Sequence, residues 1–273
     1  MNNSAEYHLQ KIKSDGFSII KNAIPQSWIY DHKLIINNLI LTEDLIDEKS
    51  IPKLNKGHDI IYSLEWKNSS FLNFIINHKI IIEILKKCLN DSWYKQIPPE
   101  YPNFILRAMI ARSGGASMLP LHIDSFIPSS GSFPHMMQVA LILEDQYIEN
   151  GCMFCIPGSH KSDLYADNNN INNNIIPIVT KACDVVIWDS RLHHGAFSNE
   201  SKNTRWSVIA TFSRWWIKQN YQTHLNLTEE FKMNLSVDEK IVLGLCSIPP
   251  INISERVDIK AGIDILKNIN GII

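Results

Sequence analysis

The chain has little charge imbalance to read. Across its 273 residues, Lys and Arg total 26 and Asp and Glu total 28, a formal net charge of −2. That balance excludes the electrostatic footprint of a nucleic-acid binder or of a protein held on an anionic membrane. Long apolar runs are also missing. None approaches the roughly 18–20 residues that a membrane span requires. The opening MNNSAEYHLQ holds no basic stretch followed by an apolar one, so no secretory leader is expected. Cysteines are few, odd in number and scattered (Cys88, Cys152, Cys155, Cys183, Cys246). They argue against a disulfide framework and fit a reducing cytoplasm. Arginine is scarce too, while Ile, Asn and Lys are over-used. Against that background a single Arg is less readily dismissed as filler.

What is present is enough for a packed core. Hydrophobic residues make up 45% and charged residues 20%, outside the range of disordered chains. The first hundred residues read mainly as helix. Tyr7 to Lys13 is a short helix candidate, Gly16 to Lys21 a strand, and Pro25 to Leu41 and Asn68 to Asn90 are apolar-periodic helices. The Pro-rich segment Ile97 to Pro102 breaks the pattern. Short β-rich runs follow: Phe104–Ala111, Leu119–Asp124, Met136–Leu143, Cys152–Ile156, Ile175–Val179, Asp184–Trp188 and Trp206–Phe212. Strands at this spacing argue for a sandwich or jelly roll. The Asn-rich run from Asn168 to Asn174 reads as a polar surface insertion, and Leu235 to Leu245 as a short helix. The expected fold is mainly β with flanking α: a double-stranded β-helix (jelly roll, cupin-like) core with N-terminal helices. It is read as a single domain over 1–273, with a mainly helical part at 1–102, the core at 103–216 and a tail at 217–273.

Chemistry-bearing residues fall at strand ends. His122 and Asp124, in Leu-His-Ile-Asp, are two apart, and on a strand such residues share a face. A third ligand is available from His193-His194-Gly195, which follows the Asp184–Trp188 strand. Two His and one carboxylate on one face of an octahedron leave three positions open. That suits non-haem Fe(II) with 2-oxoglutarate and O2 as further ligands. The distal carboxylate of a 2-oxo acid then needs a cation. Arg205, eleven residues on from His194, supplies a guanidinium fork, and Ser207 shares its face. The Cys152–Cys155 pair looks like a CxxC motif. On a strand, however, residues three apart point to opposite faces, so two core residues are the better reading.

The ordered set resembles the phytanoyl-CoA dioxygenase family of Fe(II)/2-oxoglutarate-dependent oxygenases. DGFSIIKNAIP is similar to that family's N-terminal strand and turn, Leu121-His-Ile-Asp124 to its HxD, and Glu149 to Lys161 to its ENG…PGSH segment. Asp184 to Gly195, with Asn199 and Arg205, is similar to its distal-His strand. HxD alone is weak, but the ordered combination is specific. The resemblance implies His122, Asp124 and His194 as metal ligands and catalytic centre, with Arg205 toward the co-substrate; Ser207 and Gln138 are further candidates for the co-substrate site. It implies oxidative decarboxylation of 2-oxoglutarate with O2, coupled to hydroxylation of a C–H bond of a small-molecule metabolite, with release of succinate and CO2. The family's halogenating members have a small residue at the carboxylate position; Asp124 closes that site.

Each assignment has a plainer rival. Only one of His193 and His194 can be the ligand, and the spacing to Arg205 favours His194. His160 follows a Pro-Gly-Ser turn and reads as structural. Gln138 is either a buried hydrogen-bonding residue or a co-substrate contact. Arg107 and Met109 are candidates to line the cavity. Phe126, Phe133, His135, Trp188, Arg214 and Trp215 are candidates for substrate contact, although aromatic residues near strand ends are more often core. A jelly-roll protein that binds metal or ligand without oxidative turnover is the alternative function. It leaves a complete ligand set and Arg205 without a task.

Overall fold

Ser4 starts the first helix. Its side chain accepts from the Tyr7 amide as an N-cap, and Gly16, at φ +89°, ends the helix in the left-handed conformation. This computed structural model describes residues 4–42, 60–93, 97–168, 174–201, 203–248 and 267. The N-terminal part runs α1 (Ala5–Asp15), β1 (Phe17–Ile20), α2 (Gln26–Thr42), β2 (Ile60–Ile61), α3 (Leu64–Lys67), α4 (Ser70–Asn77) and α5 (Lys79–Leu89). The expected single helix from Asn68 to Asn90 is therefore two. His78 takes an extended conformation between them, and its Nδ1 accepts from the Ile81 amide. A cap replaces a helical turn while the apolar periodicity continues across it.

The β-rich part follows as β3 (Phe104–Arg112), β4 (Leu119–His122), β5 (Met136–Ile142), β6 (Met153–Cys155), β7 (Ile176–Pro177), β8 (Val185–Asp189), β9 (His194–Ala196) and β10 (Ser207–Arg214). After it come α6 (Thr223–Asn226), α7 (Glu229–Met233) and α8 (Val237–Val242). The helix expected over Leu235 to Leu245 is α8, opened by a capping box between Ser236 and Glu239. The strands form two antiparallel sheets, a six-stranded one in the order β1-β8-β5-β10-β3-β2 and a four-stranded one in the order β4-β9-β6-β7. This is the jelly-roll arrangement.

Strand alternation divides the large sheet between two cores. Met109, Ala111, Val139, Leu141, Val185, Ile187, Val208, Ala210 and Phe212 point outward into a core shared with Ile12, Phe71, Ile81 and Leu85 from the helices. Ala140, Ile142, Val186 and Trp188 point the other way, toward Cys155, Ile178 and Leu192. Register aligns the inward side chains into three rows. One is Trp188–Gln138–Thr211, the next Val186–Ala140–Ile209–Ile110, and the third Ile142–Ser207–Arg112. Polar groups thus sit at both ends of an apolar middle row.

Three expectations shift. Met109 belongs to the helix-side core and does not face the space between the sheets. The strand read through Asp124 stops at His122. Positions 169–173 of the Asn-rich run, and most of the tail beyond residue 248, lie outside the described residues. Asn168 itself does not face only solvent: it accepts from the Leu121 amide at 2.8 Å and donates to the Leu121 carbonyl at 3.0 Å, clamping β4. Among the described residues no helix is long and apolar enough to cross a membrane.

Candidate metal centre

Two histidine rings and a carboxylate meet where β4 and β9 pair. His122 lies opposite His194 in the ladder, with ring centroids 4.3 Å apart. Asp124 follows β4 in a bend held from behind. The Ser190 carbonyl accepts both the Asp124 and the Ser125 amides, at 2.8 and 3.0 Å. His122 Nε2 lies 3.6 Å from Asp124 Oδ1, and His194 Nε2 lies 3.3 Å from Asp124 Oδ2. Ligand atoms of the three residues all fall within 4.8 Å of one another.

The far side of each ring decides what the near side offers. His122 Nδ1 meets the Pro120 carbonyl at 2.8 Å, and His194 Nδ1 meets the Leu192 carbonyl at 2.9 Å. A carbonyl only accepts, so each Nδ1 carries the proton and each Nε2 presents a lone pair. With both rings neutral, two imidazole lone pairs and a carboxylate converge, a donor set that fits a divalent cation. Trp188 Nε1 donates to Asp124 Oδ2 at 3.2 Å and orients the carboxylate.

The charges reinforce one another. Burial disfavours protonated His194 and lowers its pKa, despite the opposing pull of Asp124. Burial also works against protonated His122, but hydrogen bonding and attraction from Asp124 outweigh it and raise its pKa. Burial would raise the Asp124 carboxyl, yet the two histidines, His194 foremost, and the Trp188 indole hold it below the usual carboxylate range.

Arg205 is 7% exposed. Its Nη1 donates to Gln146 Oε1 at 3.3 Å, while its Nε and Gln146 Nε2 have no partner. Burial, followed by repulsion from Arg112, pushes its pKa down to about 10. A Cβ at Gly114 would sit 2.8 Å from Arg205 Cγ and Nε, so the missing side chain is what admits the guanidinium stem. Ser207 begins β10, two residues on, in the inward row with Arg112. Gln138 is buried beside Trp188, and its Oε1 accepts from Thr211 Oγ1 at 2.7 Å.

Other candidates lie elsewhere. His193 Nε2 meets the Leu164 carbonyl at 3.0 Å, directed away from the triad. His160 is buried against the backbone at Gly16. Trp215 Nε1 donates to Asp91 Oδ2, and Arg214 ties the Pro134 and Cys88 carbonyls. Arg107 donates to the Lys218 carbonyl and lies 4.8 Å over the Phe126 ring, whose residue has φ +63°. Phe126, Ile127 and Phe133 are largely exposed on the loop after Asp124. Cys152 and Cys155 are buried, and burial pushes their thiols up to about 11 and about 12. They behave as core residues.

Sequence reasoning passed over three groups. Arg112 sits one residue past the strand expected to end at Ala111, although arginine scarcity applies to it as much as to Arg205. Gln146 lies outside any strand and gives no periodic signal. Arg191 forms a buried fork with Asp189 (Nε–Oδ1 2.9 Å, Nη2–Oδ2 2.7 Å) and donates through Nη1 to the Ser129 and Gly131 carbonyls. It thereby joins the turn before His194 to the loop after Asp124.

Comparison with known proteins bears on the fold and the family. The dioxygenase af480 of Aspergillus fumigatus is 30% identical over 145 residues, 52% of this chain and 47% of that protein. The chain spans about half the length of the curated relatives it matches. The epimerase SnoN, solved with Fe3+, α-ketoglutarate and nogalamycin RO, superposes with a TM-score of 0.58 at 16% identity, over 77% of this chain and 83% of that one. HygX from Streptomyces hygroscopicus, solved with nickel, 2-oxoglutarate and hygromycin B, gives 0.61 at 13% identity, over 78% and 88%. At these identities the structures speak for the fold. The phytanoyl-CoA dioxygenase (PhyH) family model matches residues 12–207, and the chain belongs to that family.

Proposed function

We propose that this protein is an Fe(II)/2-oxoglutarate-dependent dioxygenase that hydroxylates a C–H bond of a small-molecule metabolite. The observation that carries the reading is the convergence of two imidazole lone pairs and one carboxylate, in a chain that also buries Arg205 with an open Nε. In this reading His122, Asp124 and His194 hold the metal. Arg205 binds the distal carboxylate of 2-oxoglutarate, supported by Gln146. Ser207 and Gln138 border the same space.

Bound Fe(II) supplies the redox chemistry that joins O2 reduction to decarboxylation. The overall balance is R–H + 2-oxoglutarate + O2 → R–OH + succinate + CO2. Of the four electrons O2 takes up, two come from the 2-oxo acid and two from the C–H bond. The protein's share is to bind, orient and exclude water. The Pro120 and Leu192 carbonyls keep both Nε2 atoms aimed inward. Trp188 and the Ser190 carbonyl hold Asp124. The middle row, Val186–Ala140–Ile209–Ile110, presents an apolar wall. Asp124 occupies the position that a halide would need vacant, which favours hydroxylation. SnoN and HygX, solved with nogalamycin RO and hygromycin B, support a small organic molecule as the class of substrate.

The test is anaerobic. Fe(II) and 2-oxoglutarate added to the protein are expected to give a weak visible charge-transfer band, absent in His122→Ala and Asp124→Ala. If the wild type gives no band, or the variants bind Fe(II) as well as it does, the assignment is wrong.

A further inference from the structure

Two connections cross between the sheets beside the triad. Residues 123–135 lead from β4 in the small sheet to β5 in the large one, and residues 190–193 lead from β8 in the large sheet to β9 in the small one. Each serves a ligand: Asp124 stands on the first, and His194 opens the strand after the second. The second connection also supplies what holds them. The Ser190 carbonyl accepts the Asp124 and Ser125 amides, and the Leu192 carbonyl meets His194 Nδ1 at 2.9 Å. Arg191 lies between those two carbonyls in the chain.

Arg191 is 4% exposed and Asp189 2%. Asp189 Oδ1 accepts from the Arg191 amide at 3.0 Å and from its Nε at 2.9 Å, and Oδ2 accepts from Nη2 at 2.7 Å. The side chain thus folds back over its own turn. Its Nη1 crosses to the other connection, donating to the Ser129 carbonyl at 3.0 Å and to the Gly131 carbonyl. Two more arginines hold that connection near its ends. Arg107 lies 4.8 Å over the Phe126 ring, and Arg214 donates to the Pro134 carbonyl at 2.9 Å. Three of the chain's six arginines therefore hold one loop. Of the three, Arg191 alone is built into the turn that contacts the triad. A buried ion pair gives up solvation and adds little net stability, whereas its fork fixes the geometry of the groups it joins.

We infer that Arg191 is the positioning residue of the metal centre. By closing the 190–193 turn onto Asp189 and tying it to the loop after Asp124, it sets the backbone of one ligand and the ring of another relative to each other. A centre assembled in this way is preorganised before a metal arrives. The inference rests on the proposed function in taking the triad as metal ligands, and it goes further by naming what keeps the triad assembled.

Arg191→Gln removes the fork, and two measurements read the result. Anaerobic calorimetric titration with Fe(II) is expected to show affinity reduced roughly 10- to 100-fold. Hydrogen exchange of the metal-free protein is expected to show the Asp124 and Ser125 amides opening about 10-fold faster than in wild type, with a smaller change at the central amides of β5 and β10. Arg191→Lys keeps the buried charge but cannot fork onto Asp189 and reach both carbonyls. It is expected to restore stability while recovering only part of the metal affinity. Wild-type metal affinity in Arg191→Gln overturns the inference. Faster exchange spread evenly over both sheets also overturns it, because a residue serving only general stability gives that result. Where Arg191→Gln does not fold, Asp189→Asn/Arg191→Gln, which removes both buried charges together, is read by the same criteria. A wild type that binds no Fe(II) removes the proposed function, and exchange in the metal-free protein then decides by itself whether Arg191 places Asp124.

Discussion

The Trp188 indole nitrogen donates to Asp124 Oδ2, the same oxygen that lies 3.3 Å from His194 Nε2. Trp188 is buried on a strand paired on both sides, so its indole fixes the rotation of a carboxylate that stands on a bend. Trp188→Phe keeps the ring's bulk and removes the donor. Fe(II) affinity is expected to fall about 10- to 100-fold, measured by anaerobic metal titration, with the thermal midpoint moving far less than the affinity.

The adjacent histidines separate cleanly. His194→Ala removes a lone pair from the cluster and is expected to abolish tight metal binding. His193→Ala removes the contact with the Leu164 carbonyl and a nearly buried ring. It is expected to lower stability by about 1–2 kcal/mol and leave metal affinity within a few-fold of wild type. Parallel denaturant unfolding and metal titration of both variants check the pair.

Gly195 tests how closely β4 and β9 must approach. A Cβ there would lie 2.5 Å from the Leu119 carbonyl oxygen and 2.5 Å from Phe154 Cζ. One obstacle is backbone, so Gly195→Ala must spread the strands that hold His122 against His194. A destabilisation of about 1–3 kcal/mol is expected, together with weaker metal binding. Calorimetric melting with and without metal would reveal both effects.

Glu65 supplies a pH dependence remote from the centre. It is 1% exposed with Oε2 unpartnered, and burial pushes its carboxyl from the ordinary 4.5 up to about 7. Below the lower value both folded and unfolded chains hold the proton. Between the two values only the folded protein holds it, so stability falls as pH rises through this window, by about 3 kcal/mol in full. Glu65→Gln mimics the neutral form. The variant is expected to match wild type near pH 4.5 and to exceed it at pH 8, measured by urea unfolding at both.

Legibility in the sequence followed local spacing. His122 and Asp124 stood out because they are two apart at a strand end. In the structure the strand stops at His122, and the Ser190 carbonyl, distant in sequence, holds Asp124. The pair was visible, but not what holds it together. Arg205 was visible against an Arg-poor background, whereas its partner Gln146 sits in a segment without period. The β2 and α3 elements escaped notice because two or four residues show no periodicity; β2 is defined by its register on Ala111 and Arg112. The division between α4 and α5 was masked because a capping histidine interrupts an otherwise unbroken apolar stripe.

Strand order bears on how the chain reaches this state. β10, the last strand among the described residues, lies between β5 and β3 in the large sheet, and β8 lies between β1 and β5. During synthesis β3 and β5 therefore emerge long before the strand that joins them. The β1-β8-β5 half can pair once residue 189 is made, but it cannot join β3 and β2 until β10, which ends at residue 214, is available, and the pairing of β4 with β9 must wait for residue 196. Non-local pairings of this kind place folding toward the millisecond-to-second end of the range. The interval leaves apolar strand edges uncovered, so assembly of this chain is most vulnerable to aggregation while its central strand is still missing.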